Sequence, residues 1–190
     1  MVRILWSISL VLMAFSHASY AEAPMESLQT AVNKVFDILR QKNLKEGTKK
    51  EQLEVVYEQM FDEVEMGRRT LARNWNRLSP AQQQEFIRLY RQVLAKAYLD
   101  KILSYTNEKV VFNTERKLSK DQTEVQTKII TSTREIPITY RMIHKENRWK
   151  VYDVVVENVS LIQNYRSQFN SILANHSPDQ MLEILQKKTQ

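Results

Sequence analysis

The chain lacks cysteine and is nearly free of glycine, and both shortages narrow what it can be. Its 190 residues include no Cys and only two Gly. Without Cys there can be no disulfide, no thiol nucleophile and no thiolate metal site. Two glycines are too few for a Gly-rich phosphate loop, a dinucleotide fingerprint or a nucleophile elbow. The enzyme classes that depend on these devices are therefore excluded.

Histidine, the commonest general base and metal ligand, is also scarce. Of the three in the chain, His144 and His176 lie far apart and lack a neighbour at ligand spacing. A histidine-based metal site is therefore not expected. One acidic candidate is left, because Asp153 interrupts an apolar strand.

Two interpretations of Asp153 stay open. Paired with Tyr140 or His144, it could serve a small cone-shaped α+β enzyme of the dehydratase or isomerase kind. We favour a structural role, in which the carboxylate accepts backbone N–H groups near the turn at 158–160, because a buried Asp must be paired or neutralised. Ser160 has the setting of an ordinary helix N-cap.

The first 21 residues have the three-part layout of a secretory signal peptide. Arg3 gives a basic start, an apolar run covers 4–15, and Ser19 and Ala21 are small residues at −3 and −1 of a cut after Ala21. A run of this length is too short to span a bilayer, which needs ~20 residues. We therefore expect export. Removing Arg3 from a chain of net charge +6 leaves +5, which favours anionic surfaces such as lipid headgroups over nucleic acid.

The hydrophobic period divides the mature chain into three parts. Residues 25–105 repeat at the helical period, 109–156 alternate with period two in four strands, and 160–188 return to helix. This order predicts an α+β fold: a curved antiparallel sheet of about four strands, covered by N-terminal and C-terminal helices and enclosing an apolar pocket. We expect residues 22–190 to form a single domain.

Several helix boundaries can be predicted from capping residues. Hydroxyl N-caps predict helix starts at Ser79, Ser160 and Ser177. Gly47 is expected to close the first helix, and Thr48 with Glu51 to open the second. A third helix is predicted over 66–75, with a basic face formed by Arg69, Arg73 and Arg77. That face is either solvated or a contact for anionic headgroups or a docking protein.

The motifs of the second half resemble those of the MlaC-like, toluene-tolerance family. The carrying residues are the run 149–154 (WKVYDV), then 159–161 (VSL) and 164–169 (NYRSQF), with Phe61-Asp62, Trp75, Leu78-Ser79 and Phe86 upstream. The sequence departs from the family at Asn158, where glycine is usual. It departs again at Ala72-Arg73, where a Leu-Gly step is usual after Leu71.

The resemblance implies a periplasmic phospholipid-binding protein of Gram-negative bacteria, and not an enzyme. Such a protein shuttles lipid between an outer-membrane lipoprotein complex and the lipid-binding subunit of an inner-membrane ABC transporter. This maintains the lipid asymmetry of the outer membrane. No cofactor or metal is implied, and we expect a monomer. The alternative is a periplasmic protein-interaction module or chaperone with a filled core.

A carrier of this kind needs an apolar lining, because burying one CH₂ group is worth ~0.8 kcal/mol. We expect acyl chains to contact the apolar stripe of the long helix, the sheet face opposite it and the end of the fifth helix. The expected lining is Tyr90, Val93, Leu94, Tyr98, Ile102, Phe112, Val125, Ile129, Ile138, Tyr140, Met142, Val151, Tyr152, Tyr165, Phe169 and Ile172. Period two does not decide which face of 149–156 is the lining. Expected headgroup or partner contacts are Arg69, Arg73, Arg141 and Arg148.

Overall fold

The structure, a computed structural model, describes residues 23–105 and 108–189. Its first half is helical: α1 (Pro24–Arg40), α2 (Glu46–Met60), α3 (Glu63–Leu71), a 3₁₀ helix (Ala72–Arg77) and α4 (Pro80–Leu103). The strands β1 (Lys109–Lys117), β2 (Gln122–Ile130), β3 (Glu135–Lys145), β4 (Arg148–Val156) and β5 (Val159–Ser160) follow. Two helices, α5 (Leu161–Asn175) and α6 (Pro178–Thr189), complete it. The predicted α+β class is confirmed, and the predicted leader lies outside the described residues.

The strands form one antiparallel sheet in the order β1-β2-β3-β4-β5. The two-residue β5 was not predicted. The connections before and after β4 are both Glu-Asn pairs with positive φ, at Glu146-Asn147 (49° and 61°) and Glu157-Asn158 (49° and 67°). Two successive positive φ values are typical of the tight turns that join twisted antiparallel strands, and Asn tolerates them better than most residues.

Three helix starts occur where the hydroxyl residues predict them. Ser79 accepts the N–H of Gln82, and the Gln82 side chain accepts the N–H of Ser79. Ser177 and Gln180 make the same reciprocal pair. Ser160 caps α5 by accepting the N–H of Gln163 at 3.1 Å.

The boundaries predicted around α2 and α3 were wrong. Gly47 lies in the first turn of α2, whose N-cap is Lys45, while α1 already ends at Arg40. The helix predicted over 66–75 begins earlier, because Asp62 accepts the N–H of Glu65 at 2.8 Å, and it ends at Leu71. Beyond it, Ala72 takes φ 49° and the chain continues as a 3₁₀ helix.

The buried apolar side chains divide into three clusters. The helix cluster joins α3, α4, α5 and α6 and includes edge-to-face contacts between Phe86, Tyr90 and Phe169. The α1 layer lies between α1 and one face of the sheet. A small third cluster joins α1, α2 and the end of α4. Among the described helices, none combines the length and the hydrophobicity needed to cross a bilayer.

Candidate functional site

A β-bulge in β4 decides which of its side chains share a face. The register with β3 shifts between Arg141 and Met142, so that Tyr152 is the extra residue on β4. Val151 and Val154 therefore both face the α1 layer. Tyr152 packs into the helix cluster on the opposite face. The ambiguity that period two leaves in this strand is resolved by this one inserted residue.

The α1 layer is the most continuous apolar surface between the sheet and a single helix. Leu28, Val32 and Phe36 recur at the helical period on α1 and are buried against the sheet. The buried sheet residues of the layer are Val125, Ile129, Ile136, Ile138, Met142, Val151 and Val154. Phe112, Tyr140, Trp149 and Val156 pack around them, half-buried. The layer therefore offers an apolar ligand a predominantly apolar surface.

The structure brings together only part of the predicted lining. All seven predicted residues from β1, β2, β3 and the start of β4 lie in the α1 layer: Phe112, Val125, Ile129, Ile138, Tyr140, Met142 and Val151. The predicted helical wall lies elsewhere. Tyr90, Val93, Leu94, Tyr98, Tyr152, Tyr165, Phe169 and Ile172 belong to the helix cluster, and Ile102 to the third cluster. The helix that faces the predicted sheet wall is α1 and not α4.

Most of the α1 layer is filled by its own side chains, and a cavity of about 220 Å³ lies beside it. Its walls come from α1, α2, β3 and β4: Ser27, Leu28, Thr30, Ala31, Lys34, Val56, Gln59, Met60, Met142 and Trp149. Sites for drug-sized ligands usually enclose about 300–1,000 Å³. The cavity is therefore too small for a whole lipid.

Two threonine hydroxyls on the sheet face of the layer are satisfied locally. Thr123 and Thr127 are 2% exposed on the same face of β2 as Val125. Their hydroxyls donate to the carbonyls of Arg116 (3.0 Å) and Ile138 (3.3 Å). Burial, with a smaller effect of nearby Tyr105, raises the pKa of Tyr140 to about 12. The layer therefore holds no charge on these groups at neutral pH, and sequence patterning alone did not identify the two threonines as lining.

Few polar contacts tie α1 to the rest of the fold. The backbone N–H of Met25 donates to Glu115 Oε2 at 3.0 Å, and Lys49 Nζ of α2 donates to the carbonyl of Leu39 at 2.8 Å. Around Leu28, Val32 and Phe36 the packing of α1 on the sheet is apolar. Apolar packing is non-directional, so this part of the contact does not by itself fix α1 in a single position on the sheet.

The opposite face of the sheet carries a dense polar network around Asp153, which is 1% exposed. Asp153 Oδ2 accepts from Arg141 Nη1 (3.0 Å) and from the Ser160 hydroxyl (2.7 Å), and Oδ1 accepts from the Ile162 N–H (3.1 Å). This confirms the structural role predicted for Asp153 and Ser160. The alternative pairings are not formed, because Tyr140 lies across the sheet in the α1 layer and the His144 ring packs on Trp149.

The predicted arginine contacts separate into two groups. Arg69 and Arg141 line a common cleft of about 320 Å³ on the Asp153 side of the sheet. Arg73 and Arg148 are exposed and lie outside its lining. The predicted basic face of residues 69, 73 and 77 was wrong as a helical face, because α3 stops at Leu71. Within the described ranges, no group of His, Asp or Glu side chains is arranged to hold a metal ion.

A family model described as "MlaC protein" matches residues 29–187, which is most of the chain. This chain belongs to the MlaC family. A curated relative, the intermembrane phospholipid transport system binding protein MlaC of Haemophilus influenzae, is 23% identical over 126 residues. That alignment covers 64% of this chain and 59% of the relative, so the chain spans somewhat more than half of the relative's length.

A solved structure has the same fold as this MlaC-family chain. It is that of a phospholipid-binding protein from Ralstonia solanacearum in complex with a phospholipid, with a TM-score of 0.80 at 18% identity. The match covers 87% of this chain and 96% of the other. At this identity the likeness shows the fold alone.

The two departures from the MlaC-family pattern coincide with positive φ. Asn158, at φ 67°, closes the turn between β4 and β5. Ala72, at φ 49° and ψ −121°, ends α3 in a conformation that favours glycine because a Cβ crowds the backbone there. The turn at Asn158 is accommodated by a residue that tolerates it, whereas the helix end at Ala72 is strained.

Proposed function

We propose that this protein is a periplasmic phospholipid carrier that holds acyl chains in the α1 layer. The observation that carries the proposal is the layer itself, in which one helix covers an apolar sheet face whose two threonine hydroxyls are satisfied locally. Membership of the MlaC family and the phospholipid named for the Ralstonia solanacearum protein support it.

The energetics explain why such a layer is needed. Removing a sixteen-carbon chain from water is worth on the order of 12 kcal/mol, at ~0.8 kcal/mol per CH₂. Transfer of free lipid through water is correspondingly slow. A carrier lined by hydrocarbon makes the exchange with a membrane or a docked partner nearly neutral, so that the partner decides the direction.

Chains enter, in this proposal, by a shift of α1 away from the sheet. The 220 Å³ cavity already separates α1 and α2 from Met142 and Trp149. Moving α1 costs apolar contacts with Val125, Ile129 and their neighbours, and acyl chains would replace contacts of the same kind. The cost of opening is thus largely offset by the ligand that causes it.

The same proposal includes the cellular setting that the family implies. The chain is exported by residues 1–21, cut after Ala21, and 22–190 act as a monomeric single domain without enzymatic activity. It takes lipid from, or gives it to, an outer-membrane lipoprotein complex and the lipid-binding subunit of an inner-membrane ABC transporter, and so maintains outer-membrane lipid asymmetry. The relative from Haemophilus influenzae supports the transport role, because its name places it in an intermembrane phospholipid transport system.

The test is to fill the cavity. Ala31 lines it from α1, and Ala31→Phe places an aromatic ring there. We expect the purified variant to contain at least ten-fold less lipid than the wild type by extraction and mass spectrometry. Ala97→Phe is the matched control, because Ala97 is exposed on α4 and is not part of the cavity lining or of the α1 layer. A wild-type protein that is free of lipid, and stays so after incubation with vesicles, would contradict the proposal.

A second function, a protein-interaction module or chaperone with a filled core, is favoured by the small size of the cavity. Extraction with organic solvent separates the two. A carrier emptied of lipid should lose thermal stability and regain it when vesicles are added, because a ligand that binds only the folded state stabilises it. A filled module should show the same melting temperature before extraction, after extraction and after vesicle addition.

A further inference from the structure

The cleft on the Asp153 side of the sheet carries more positive charge than its own carboxylates neutralise. Four guanidinium groups line it, one each from α3, β1, β3 and α5, together with two carboxylates. The arginines are Arg69, Arg116, Arg141 and Arg166, and the acids are Glu124 and Asp153. The lining thus has an excess of two positive charges within a volume of about 320 Å³.

Each of these arginines uses part of its guanidinium group in contacts within the protein. The other N–H donors of each group remain available to a ligand. Arg116 uses Nε and Nη2 on Glu124 Oε1, and Arg141 uses Nη1 on Asp153. Within the described chain, Nη1 of Arg116 and Nη2 of Arg141 have no acceptor. Because one side of each group is fixed, the free N–H groups are oriented before a ligand arrives.

Arg69 and Arg166 are coupled to each other. The Arg69 guanidinium lies 4.0 Å from the centre of the Tyr152 ring, and its Nε donates to Glu65 at 2.6 Å. Arg166 donates from Nε and Nη2 to the backbone carbonyl of Arg69. Of the two positive charges in excess within the lining, that of Arg69 is met by Glu65, which lies outside the lining. Among the described residues no carboxylate pairs with Arg166, so its charge is the one left uncompensated.

Neither of the two carboxylates in the cleft neutralises Arg166. Asp153 already accepts hydrogen bonds from Arg141, Ser160 and the N–H of Ile162, and the last of these lies at the N-terminus of α5. Glu124 is 6% exposed beneath Arg116. The four arginines come from four different elements, so their available N–H donors surround the cleft on several sides. A tetrahedral oxyanion can accept from all of them, whereas a carboxylate presents only two oxygens.

We propose that this cleft binds the phosphate group of a phosphate-containing anion. The site is separate from the α1 layer, because the sheet lies between them: Val151 and Val154 face the layer, while Tyr152 and Asp153 face the cleft. The bound phosphate is therefore not that of a lipid whose chains lie under α1. It comes from a free phosphate compound or from a lipid in a membrane surface, and the proposal goes beyond the carrier function.

The first experiment titrates the full mature protein with inorganic phosphate at constant ionic strength and follows heat or backbone amide shifts. We expect saturable binding in the wild type and at least a ten-fold weaker dissociation constant in Arg166→Gln and in Arg116→Gln. Arg116 is also the partner of the buried Glu124, so the melting temperature of each variant is measured beside its binding. Arg166→Gln, which breaks no carboxylate pair among the described residues, keeps the test decisive if Arg116→Gln is destabilised. Arg73→Gln is the control, since it removes the same charge from an exposed position outside the cleft.

A second arm identifies the source of the phosphate by sedimentation with vesicles of phosphatidylglycerol or of phosphatidylcholine. Binding of free phosphate alone assigns the cleft to a soluble compound. Binding to vesicles that is lost in Arg166→Gln and kept in Arg73→Gln assigns it to a lipid surface. Absence of both kinds of binding, or equal loss in Arg73→Gln, overturns the site. Co-purified lipid, measured in the same samples, should be unchanged in all three variants, so that failure here is distinct from failure of the carrier proposal.

Discussion

The two faces of the sheet are held against their helices by different forces. On one face, α1 is attached by apolar packing around Leu28, Val32 and Phe36. On the other, directional bonds to Asp153 attach α5 to the sheet, Lys145 pairs with Asp62 at the start of α3, and Arg166 of α5 donates to the Arg69 carbonyl of α3. Directional bonds fix one arrangement, whereas hydrocarbon contacts tolerate several at similar energy. In the carrier function proposed above, the first face is the one that adapts to a ligand and the second is the one that keeps the fold.

The largest effect should come from removing the carboxylate at the centre of the rigid face. Asp153→Ala leaves Arg141, Ser160 and the N–H of Ile162 without their shared acceptor. We expect a loss of about 3 kcal/mol in the free energy of unfolding, measured in urea. The exposed Asp37→Asn on α1 should change it by less than about 0.5 kcal/mol. Lipid content per folded molecule should not change. A fall in lipid content would show that the two faces of the sheet are not independent.

Acid should weaken the rigid face through Glu65. Burial alone raises the pKa of this carboxyl, but the guanidinium groups of Arg68 and Arg69 outweigh it and hold the pKa at about 2. The folded-state value lies below the unfolded one, so the stabilisation is complete above about pH 4.5 and is lost as the pH falls towards 2. Glu65→Gln should cost about 2 kcal/mol at pH 7, after allowance for the exposed Arg68, and almost nothing near pH 2.

A nearby carboxyl gives the opposite sign and serves as the control. Burial is the main reason that the pKa of Glu63 is raised, and Arg91, at 3.5 Å from its Oε1, only partly offsets this. Its favourable contribution is therefore present at low pH and lost as the pH rises through the folded-state pKa. Glu63→Gln should stabilise the protein at pH 7 and not at pH 3. Parallel pH profiles for the two variants would contradict both assignments.

The smallest effect should be a gain at the strained end of α3. Ala72→Gly relieves a backbone at φ 49° and ψ −121°, and we expect about 1 kcal/mol of added stability, measured by thermal unfolding. Ala97→Gly, in the exposed middle of α4, should instead cost about 1 kcal/mol. A loss of stability at residue 72 would show that this backbone conformation is not the one adopted in solution.

The parts of the fold that depend on neighbouring residues could be predicted from the sequence. A hydroxyl residue followed by proline and, three positions later, glutamine forms its bonds within one turn, which is why Ser79 and Ser177 begin helices as predicted. The alternation of β2 likewise predicts that Val125 and Ile129 share a face. By contrast, the prediction that Gly47 closes the first helix was wrong. A glycine marks a helix end only where the chain turns, and the chain turns earlier, after Arg40.

The residues of the candidate site were predicted only in part. Which helix packs on the sheet depends on contacts between residues far apart in the sequence. The stripes on α1 and α4 have the same period, and nothing in that period tells which of them covers Val125 and Met142. The bulge at Tyr152 could not be predicted from the sequence either. It moves the residues that follow to the other face of the sheet, and these residues are apolar in both arrangements. The family resemblance supplied the class of ligand but not these two placements.

The position of α1 at the start of the described chain has a consequence for how the molecule is assembled. Its apolar side has no sheet to rest on until β2, β3 and β4 have been made, about a hundred residues later. A nascent or translocating chain must therefore hold Leu28, Val32 and Phe36 uncovered while the rest forms, a risk of aggregation that contacts of long sequence separation impose. We expect this helix to dock only after the sheet has formed, and in the proposed carrier the reverse of that docking exposes the sheet face to lipid.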